Sequence, residues 1–345
     1  MKERNISYDI VRVVSMCFVI SVHLLAHLSN DTELRIFMSN TFYQLFFTCN
    51  GIFYMLSGKF ALQEKCDSAK EYFNYYYKKL WGLLVPIVLY MFLRYTYDTN
   101  YAFSSEGFLT GFWQNFSSGY SSNEYWYLYA LVGSILAAPF IGKALQNTSK
   151  TGLWIFLAIG LFFNTMWSYM PLFGYEWAWK YPFESWIFYF CLGYCVDRLI
   201  HSKKQRIAVY IVGVTCFVIS MLQKYGGGVT RRIYDLAPTM TCITCMIYVL
   251  LKSIKIKNNT IKSILTFVAR HSFGVYMVHM RVLRIVVDWR PMGENFYMEY
   301  LITTTIMVLL MSLAVSFIFD SIVVFPLKKY MIGLLAKDGA GEKVM

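Results

Sequence analysis

Charge is scarce in this 345-residue chain: 15% of its residues are Asp, Glu, Lys or Arg, against 57% that are apolar. That balance, with a mean hydropathy of +0.44, excludes an ordinary water-soluble domain of this length. Internal repeats, low-complexity runs and an appended soluble domain are all missing, so one membrane unit is expected over residues 1–335, with a short cytoplasmic tail over 336–345. No basic cluster is interleaved with aromatics in a soluble module, and the net charge of +12 therefore gives little support to nucleic-acid binding. Nor do the eight cysteines form a disulfide framework. Cys17, Cys191, Cys195, Cys216, Cys242 and Cys245 fall inside apolar runs, where thiols pack as small apolar groups. Cys242 and Cys245 have redox-motif spacing but lack the strand-and-helix context of a redox site. His23 and His27 stand four residues apart, yet no acidic or cysteine third ligand is near them, and no metal site is expected.

What is present is a series of apolar runs near the length a bilayer requires. Ten spans are expected, near Tyr8–Leu28, Met38–Ser57, Trp81–Tyr97, Tyr125–Leu145, Leu153–Leu172, Pro182–Leu199, Ala208–Gln223, Leu236–Leu251, Ile264–Val287 and Tyr300–Leu327. The first run is too long for a signal peptide and no small-residue cleavage site comes after it, so it reads as a retained helix. Basic residues collect in alternate loops: Lys2 and Arg4; Lys59, Lys65, Lys70, Lys78 and Lys79; Lys143 and Lys150; Arg198, Lys203, Lys204 and Arg206; Lys252, Lys255, Lys257 and Lys262; Lys328, Lys329 and Lys337. All lie on one side of a ten-span count, with Lys224, Arg231 and Arg232 as the exception, so both termini are expected to be cytoplasmic. The fold class is all-α, a polytopic bundle. Residues Lys59–Lys79 are expected to form an interfacial helix with Tyr72, Phe73, Tyr76 and Tyr77 toward lipid or protein, and Asn100–Asn123 an outer loop.

Arg12 and His23 sit within the first run, where ionisable groups are costly and functional by default. Their spacing turns a helix by about 1100°, roughly 20° from three full rotations, and advances about 16 Å. Both side chains therefore share a face, a cation near one membrane surface and an imidazole near mid-bilayer. The plainer readings are an interhelical hydrogen bond for His23 and a surface anchor for Arg12. Trp126, Tyr125 and Tyr127 read as an aromatic belt.

Arg4, Asp9, Arg12 and His23 reproduce a pattern that opens the acyltransferase type 3 family of integral membrane proteins. Phe53–Gly58 (FYMLSG) resembles that family's F-x-x-S-G. Trp126, Tyr127 and Leu128 with Pro139 resemble its W-F-L…P segment. Phe190, Leu192, Gly193 and Tyr194 match F-x-L-G-Y, and Ser272, Tyr276 and His279 match a late S…Y..H block. The family's arginine pair ahead of the third-helix proline is missing: Lys78, Lys79 and Gly82 precede Pro86. Lys79 supplies a point charge rather than a planar fork, and Gly82 supplies none.

The resemblance implies transfer of an acyl group, usually acetyl, from cytoplasmic acyl-CoA to a hydroxyl of a cell-surface glycan or lipid-linked saccharide, in a bacterial cytoplasmic membrane. Arg12, Lys78 and Lys79 would attract the CoA phosphates, and His23 would act as general base, since imidazole titrates near neutral pH; acylation of His23 is a second route. Glu184 would orient the His23 imidazole or stabilise its imidazolium, or else serve as a helix-start dipole partner. Tyr276 and His279 would polarise the thioester carbonyl or hold the acceptor, and Asp9 would fix Arg12 through an ion pair. Arg281 and Arg284, toward the outer end, would meet an anionic acceptor or lipid headgroups. An alternative from another class is a transporter of a glycan or small solute, for which internal symmetry and broken helix pairs would be expected; neither is clear in the sequence.

Overall fold

The computed structural model describes residues 5–28, 31–100, 102–104, 106–119, 123–226, 236–292 and 297–341. Lys2, Arg4, Arg231 and Arg232, as well as the side chain of Lys337 and residues 342–345, lie outside the described residues. Among those described the chain is all-helical, without strands. In order come α1 (Ile6–Leu25), α2 (Glu33–Phe46) and α3 (Cys49–Ala61), then α4 (Ala69–Lys79), which runs through a π-helical turn at Leu80–Leu84 into α5 (Val85–Asp98). After these come α6 (Phe108–Ser118), α7 (Trp126–Gln146), α8 (Lys150–Tyr169), α9 (Trp186–Leu199), α10 (Lys203–Gly226), α11 (Pro238–Ser253) and α12 (Asn259–Trp289). Finally α13 (Tyr297–Phe319) passes through a second π turn, Asp320–Val324, into α14 (Phe325–Gly341), which stays helical across the boundary expected at residue 335.

Six helical segments among the described residues are long and apolar enough to cross a membrane: Ile6–Leu25, Ala69–Asp98, Trp126–Gln146, Lys150–Phe173, Lys203–Lys224 and Tyr297–Gly333. The run expected over Met38–Ser57 is split at Phe47 and Thr48 into α2 and α3. The outward surfaces of the bundle are apolar: Trp154, Ile155, Ile211, Leu222, Ile306 and Leu310 are all exposed. Such a belt is a liability in water and fits lipid.

Several helices begin where the sequence supplies a donor-satisfying side chain. Asn5 accepts the Ser7 N–H at 3.0 Å to start α1, and Ser68 with Glu71 forms a capping box on α4. Each π turn leads at once into an X-Pro pair, Val85-Pro86 and Phe325-Pro326. Proline has no N–H for the regular ladder and crowds the carbonyl four residues back, so the widened turn just before it relieves both conflicts.

α1 is the hub, packed on α3, α11, α12 and α13. α3 and α9 lie in close contact through two glycines. A Cβ on Gly58 would overlap the Phe190 carbonyl, and one on Gly193 would overlap the Met55 carbonyl. The FYMLSG and F-x-L-G-Y blocks are thus the two halves of one backbone-to-backbone crossing, the usual use of small residues between membrane helices. At one end of the bundle Asp197 (α9), 3% exposed at its side chain, receives Lys59 (α3) at 3.0 Å and Lys252 (α11). Tyr8 of α1 donates to the same carboxylate at 2.6 Å. Four helix ends are therefore fastened to one acid.

Candidate active site

A cavity of about 930 Å³ opens near that fastened end, between α1, α7, α12, α14 and the first π turn. Its mouth carries Arg12, Arg270, Lys328 and Lys329; its inner part is lined by Phe53, Leu128 and Leu131 and reaches Tyr127 and Tyr276. No Asp or Glu lines it among the described residues. Arg12 is positioned by Asp9, 3.8 Å away and almost fully buried, and Asp9 also accepts the Thr266 hydroxyl at 3.2 Å. Arg270 stacks over the Phe325 ring, 4.6 Å from its centre. The second π turn is pinned by Asp320, which takes a hydrogen bond from Tyr90 and pairs with His271 Nδ1, both at 2.7 Å.

Beyond the tyrosines lie the two histidines. His23 is in the last turn of α1, and its ring centre is 5.4 Å from that of His279 on α12. His279 is fully buried. Its Nδ1 lies 2.6 Å from the Tyr276 carbonyl, and since a carbonyl can only accept, Nδ1 carries the proton. In the neutral ring Nε2 is then a bare acceptor, with no hydrogen-bond partner among the described residues. The expected polarisation of a carbonyl by His279 does not fit this tautomer, because Nε2 has no hydrogen to donate. It fits the other expected role, holding a hydroxyl. Tyr276 is likewise committed, as its hydroxyl donates to the Glu124 carbonyl, and its ring packs 5.6 Å from His279 and 5.7 Å from Tyr127. It forms the wall between the cavity and the histidines.

Two expectations require correction. Glu184 serves its own turn, accepting the Tyr181 N–H at 3.2 Å and facing Lys180 at 3.8 Å. The acid that the fold brings toward the histidine pair is instead Glu124, whose carbonyl receives the Tyr276 hydroxyl beside His279 and whose carboxylate is buried beside the Arg94 guanidinium at 3.5 Å. Arg94 is in turn held by Asp98 at 2.8 Å. Sequence reasoning missed Glu124 because it precedes α7 in a short 3₁₀ turn at Asn123–Tyr125, outside any apolar period, although an acid two residues before the W-Y-L block was a usable signal. Lys78 and Lys79 also fall outside the cavity lining. Lys78 is exposed, and the Lys79 ammonium lies over the Tyr75 ring one turn back, 5.1 Å from its centre, beside a separate apolar pocket. The cations that join Arg12 at the mouth come from α12 and α14 instead.

The aromatic belt is corrected too. Tyr125 and Tyr127 are buried, the first donating to the Met277 carbonyl at 2.7 Å, and of the three only Trp126 is exposed.

The site thus combines a basic mouth, an apolar shaft and a histidine pair behind it. A family model for an acyltransferase domain matches residues 5–321, a stretch that includes α1 with Arg12 and His23, and α12 with Tyr276 and His279. The chain belongs to the acyltransferase type 3 family. No curated protein and no solved structure matches it. As a member of this family it is a membrane acyltransferase, and the five sequence blocks acquire distinct duties. The α1 and α12 blocks supply the cation and the histidines, the α3 and α9 blocks the glycine crossing, and the α7 block the cavity wall.

Proposed function

We propose that the protein takes an acyl group, acetyl in the simplest case, from cytoplasmic acyl-CoA and transfers it to a hydroxyl of a cell-surface or lipid-linked glycan, in a bacterial inner membrane that it spans about ten times with both termini cytoplasmic. The observation that carries this reading is the cavity itself: four cations at the mouth, an apolar shaft, and a closed end at Tyr127 and Tyr276 next to the histidine pair. CoA has that polarity, with several phosphates on one end and a thin, uncharged pantetheine arm bearing the thioester on the other. Arg12, Arg270, Lys328 and Lys329 would hold the phosphates as charge-assisted partners, and the arm would run inward toward Tyr276.

At the far end His23 would act as general base. The acceptor hydroxyl's proton passes to the imidazole, its oxygen bonds to the thioester carbon, and the C–S bond then breaks. The departing CoA sulfur takes the proton back from the imidazolium, leaving an ester and free CoA thiol. Glu124 stabilises the imidazolium that exists between those steps, as a buried carboxylate fixed by Arg94 can do without reorganising. His279, with Nε2 open, accepts a hydrogen bond from the incoming hydroxyl. The test is transfer of labelled acetyl from acetyl-CoA to envelope glycan by membranes containing the protein. Accumulation of labelled glycan supports the reading; uptake of solute or glycan without any acyl transfer refutes it.

A further inference from the structure

Gly82 lines the cavity within the first π turn and leaves the backbone there bare beside Lys328 of α14. A Cβ at this position would sit 3.6 Å from the Lys328 ammonium nitrogen and 3.8 Å from its Cε. The lysine of α14 thus lies across bare backbone of the π turn before α5. α14 packs against the first π turn at this point: Tyr77, just before that turn, donates to the Met331 carbonyl of α14 at 3.0 Å. A π turn adds one residue to a helical repeat and so rotates the helix beyond it by roughly 100°. After the second π turn the next helix presents Phe325, Lys328 and Lys329 to the cavity together.

Lys328 forms no ion pair among the described residues. Asp320, the acid that opens the second π turn, has both carboxylate oxygens engaged, one with Tyr90 and the other with His271. A half-buried ammonium with a glycine opposite is a seat for an anion, with room for tetrahedral oxygens where a side chain at position 82 would stand. Lys329 and Arg270 flank the same mouth farther along its rim.

Resting on the acyl-CoA reading, we propose that Lys328 with Gly82 forms the seat of the donor's diphosphate, so that the C-terminal helix supplies the charge that the α4–α5 segment lacks. The diphosphate is the phosphate group nearest the pantetheine arm, and Lys328 is paired with Gly82 and Leu83 where the apolar shaft begins.

The test is equilibrium binding of CoA, 3′-dephospho-CoA and pantetheine to the purified full-length protein in lipid nanodiscs. Lys328→Ala is expected to weaken CoA and 3′-dephospho-CoA by tenfold or more while leaving pantetheine unchanged. The charge swap Gly82→Arg with Lys328→Ala is expected to recover at least half of that loss on a logarithmic scale, whereas Lys78→Ala leaves all three ligands unaffected. Equal CoA affinity in Lys328→Ala and wild type overturns the seat while leaving the acyl-CoA reading intact. So does a loss that extends to pantetheine, or one confined to CoA, which would move Lys328 to the ribose phosphate. Wild-type protein that binds no CoA at all overturns the acyl-CoA reading, and the seat with it.

Discussion

The His279 imidazole lies 5.4 Å from that of His23, ring centre to ring centre, with the planes tilted by 43°. One ring comes from the first helix and the other from the twelfth, and only His279 has its tautomer set by a backbone carbonyl. The two rings therefore differ in setting: His23 is half-buried, and His279 is buried and held by that carbonyl.

From this difference, His279→Ala is expected to lower kcat by about 10²-fold, within the range for a positioned acid–base partner. Its CoA affinity is expected to stay within twofold of wild type, since His279 is behind the tyrosine wall. Steady-state kinetics alongside CoA binding checks both. A loss of CoA binding equal to the loss of rate would assign His279 to the donor instead.

Glu124 and Glu184 give a paired comparison. Glu124→Gln keeps the backbone carbonyl that receives Tyr276 but removes the charge near His23, and a fall in kcat of about tenfold or more is expected from loss of a stabilising charge. Glu184→Gln, whose carboxylate serves only its own turn, is expected to retain activity within twofold. Parallel acyl-transfer assays on the two variants would contradict the assignment if their effects were reversed.

How far these roles were legible in the sequence depends on the element. Arg12 and His23 could be paired from spacing alone, because a helix converts an interval into a shared face. The glycines of α3 and α9 could be seen as motif residues, but their purpose could not, since it lies in a crossing between segments far apart in the chain. Lys78 and Lys79 stand in the basic segment ahead of Pro86, where the family carries its arginine pair. The π turn and the Tyr75 ring that set their direction have no linear signature. Lys328 looked like one more cytoplasmic lysine, and only the fold of α14 against the first π turn brings it to Gly82. The run over Met38–Ser57 read as one span because its interruption at Phe47 and Thr48 contains neither glycine nor proline.

At the α3–α9 crossing, Gly58→Ala or Gly193→Ala must push two backbones apart. Each is expected to destabilise the protein by about 1–3 kcal/mol or more, as overpacking does when the neighbour is backbone rather than a movable side chain. Thermal unfolding in detergent, monitored by tryptophan fluorescence, would register a lower midpoint. Unchanged midpoints would mean that the crossing is looser than the geometry requires.

Asp197→Asn leaves Lys59 and Lys252 without their shared carboxylate. Removing one member of a buried ion pair costs about 3–5 kcal/mol, and about 2–3 is expected here because Lys252 is 31% exposed at its side chain and partly solvated. The same unfolding assay measures it. Lys59→Met with Asp197→Asn should recover part of the loss by removing one of the stranded charges.

The most direct test concerns His23 itself. Purified protein in nanodiscs is given isotope-labelled acetyl-CoA and envelope glycan, and labelled ester is measured by mass spectrometry for wild type and His23→Ala. The expected result is ester formation by wild type and background levels in the variant, whose CoA binding remains intact. Ester formation by His23→Ala at the wild-type rate would contradict the central role assigned to this residue.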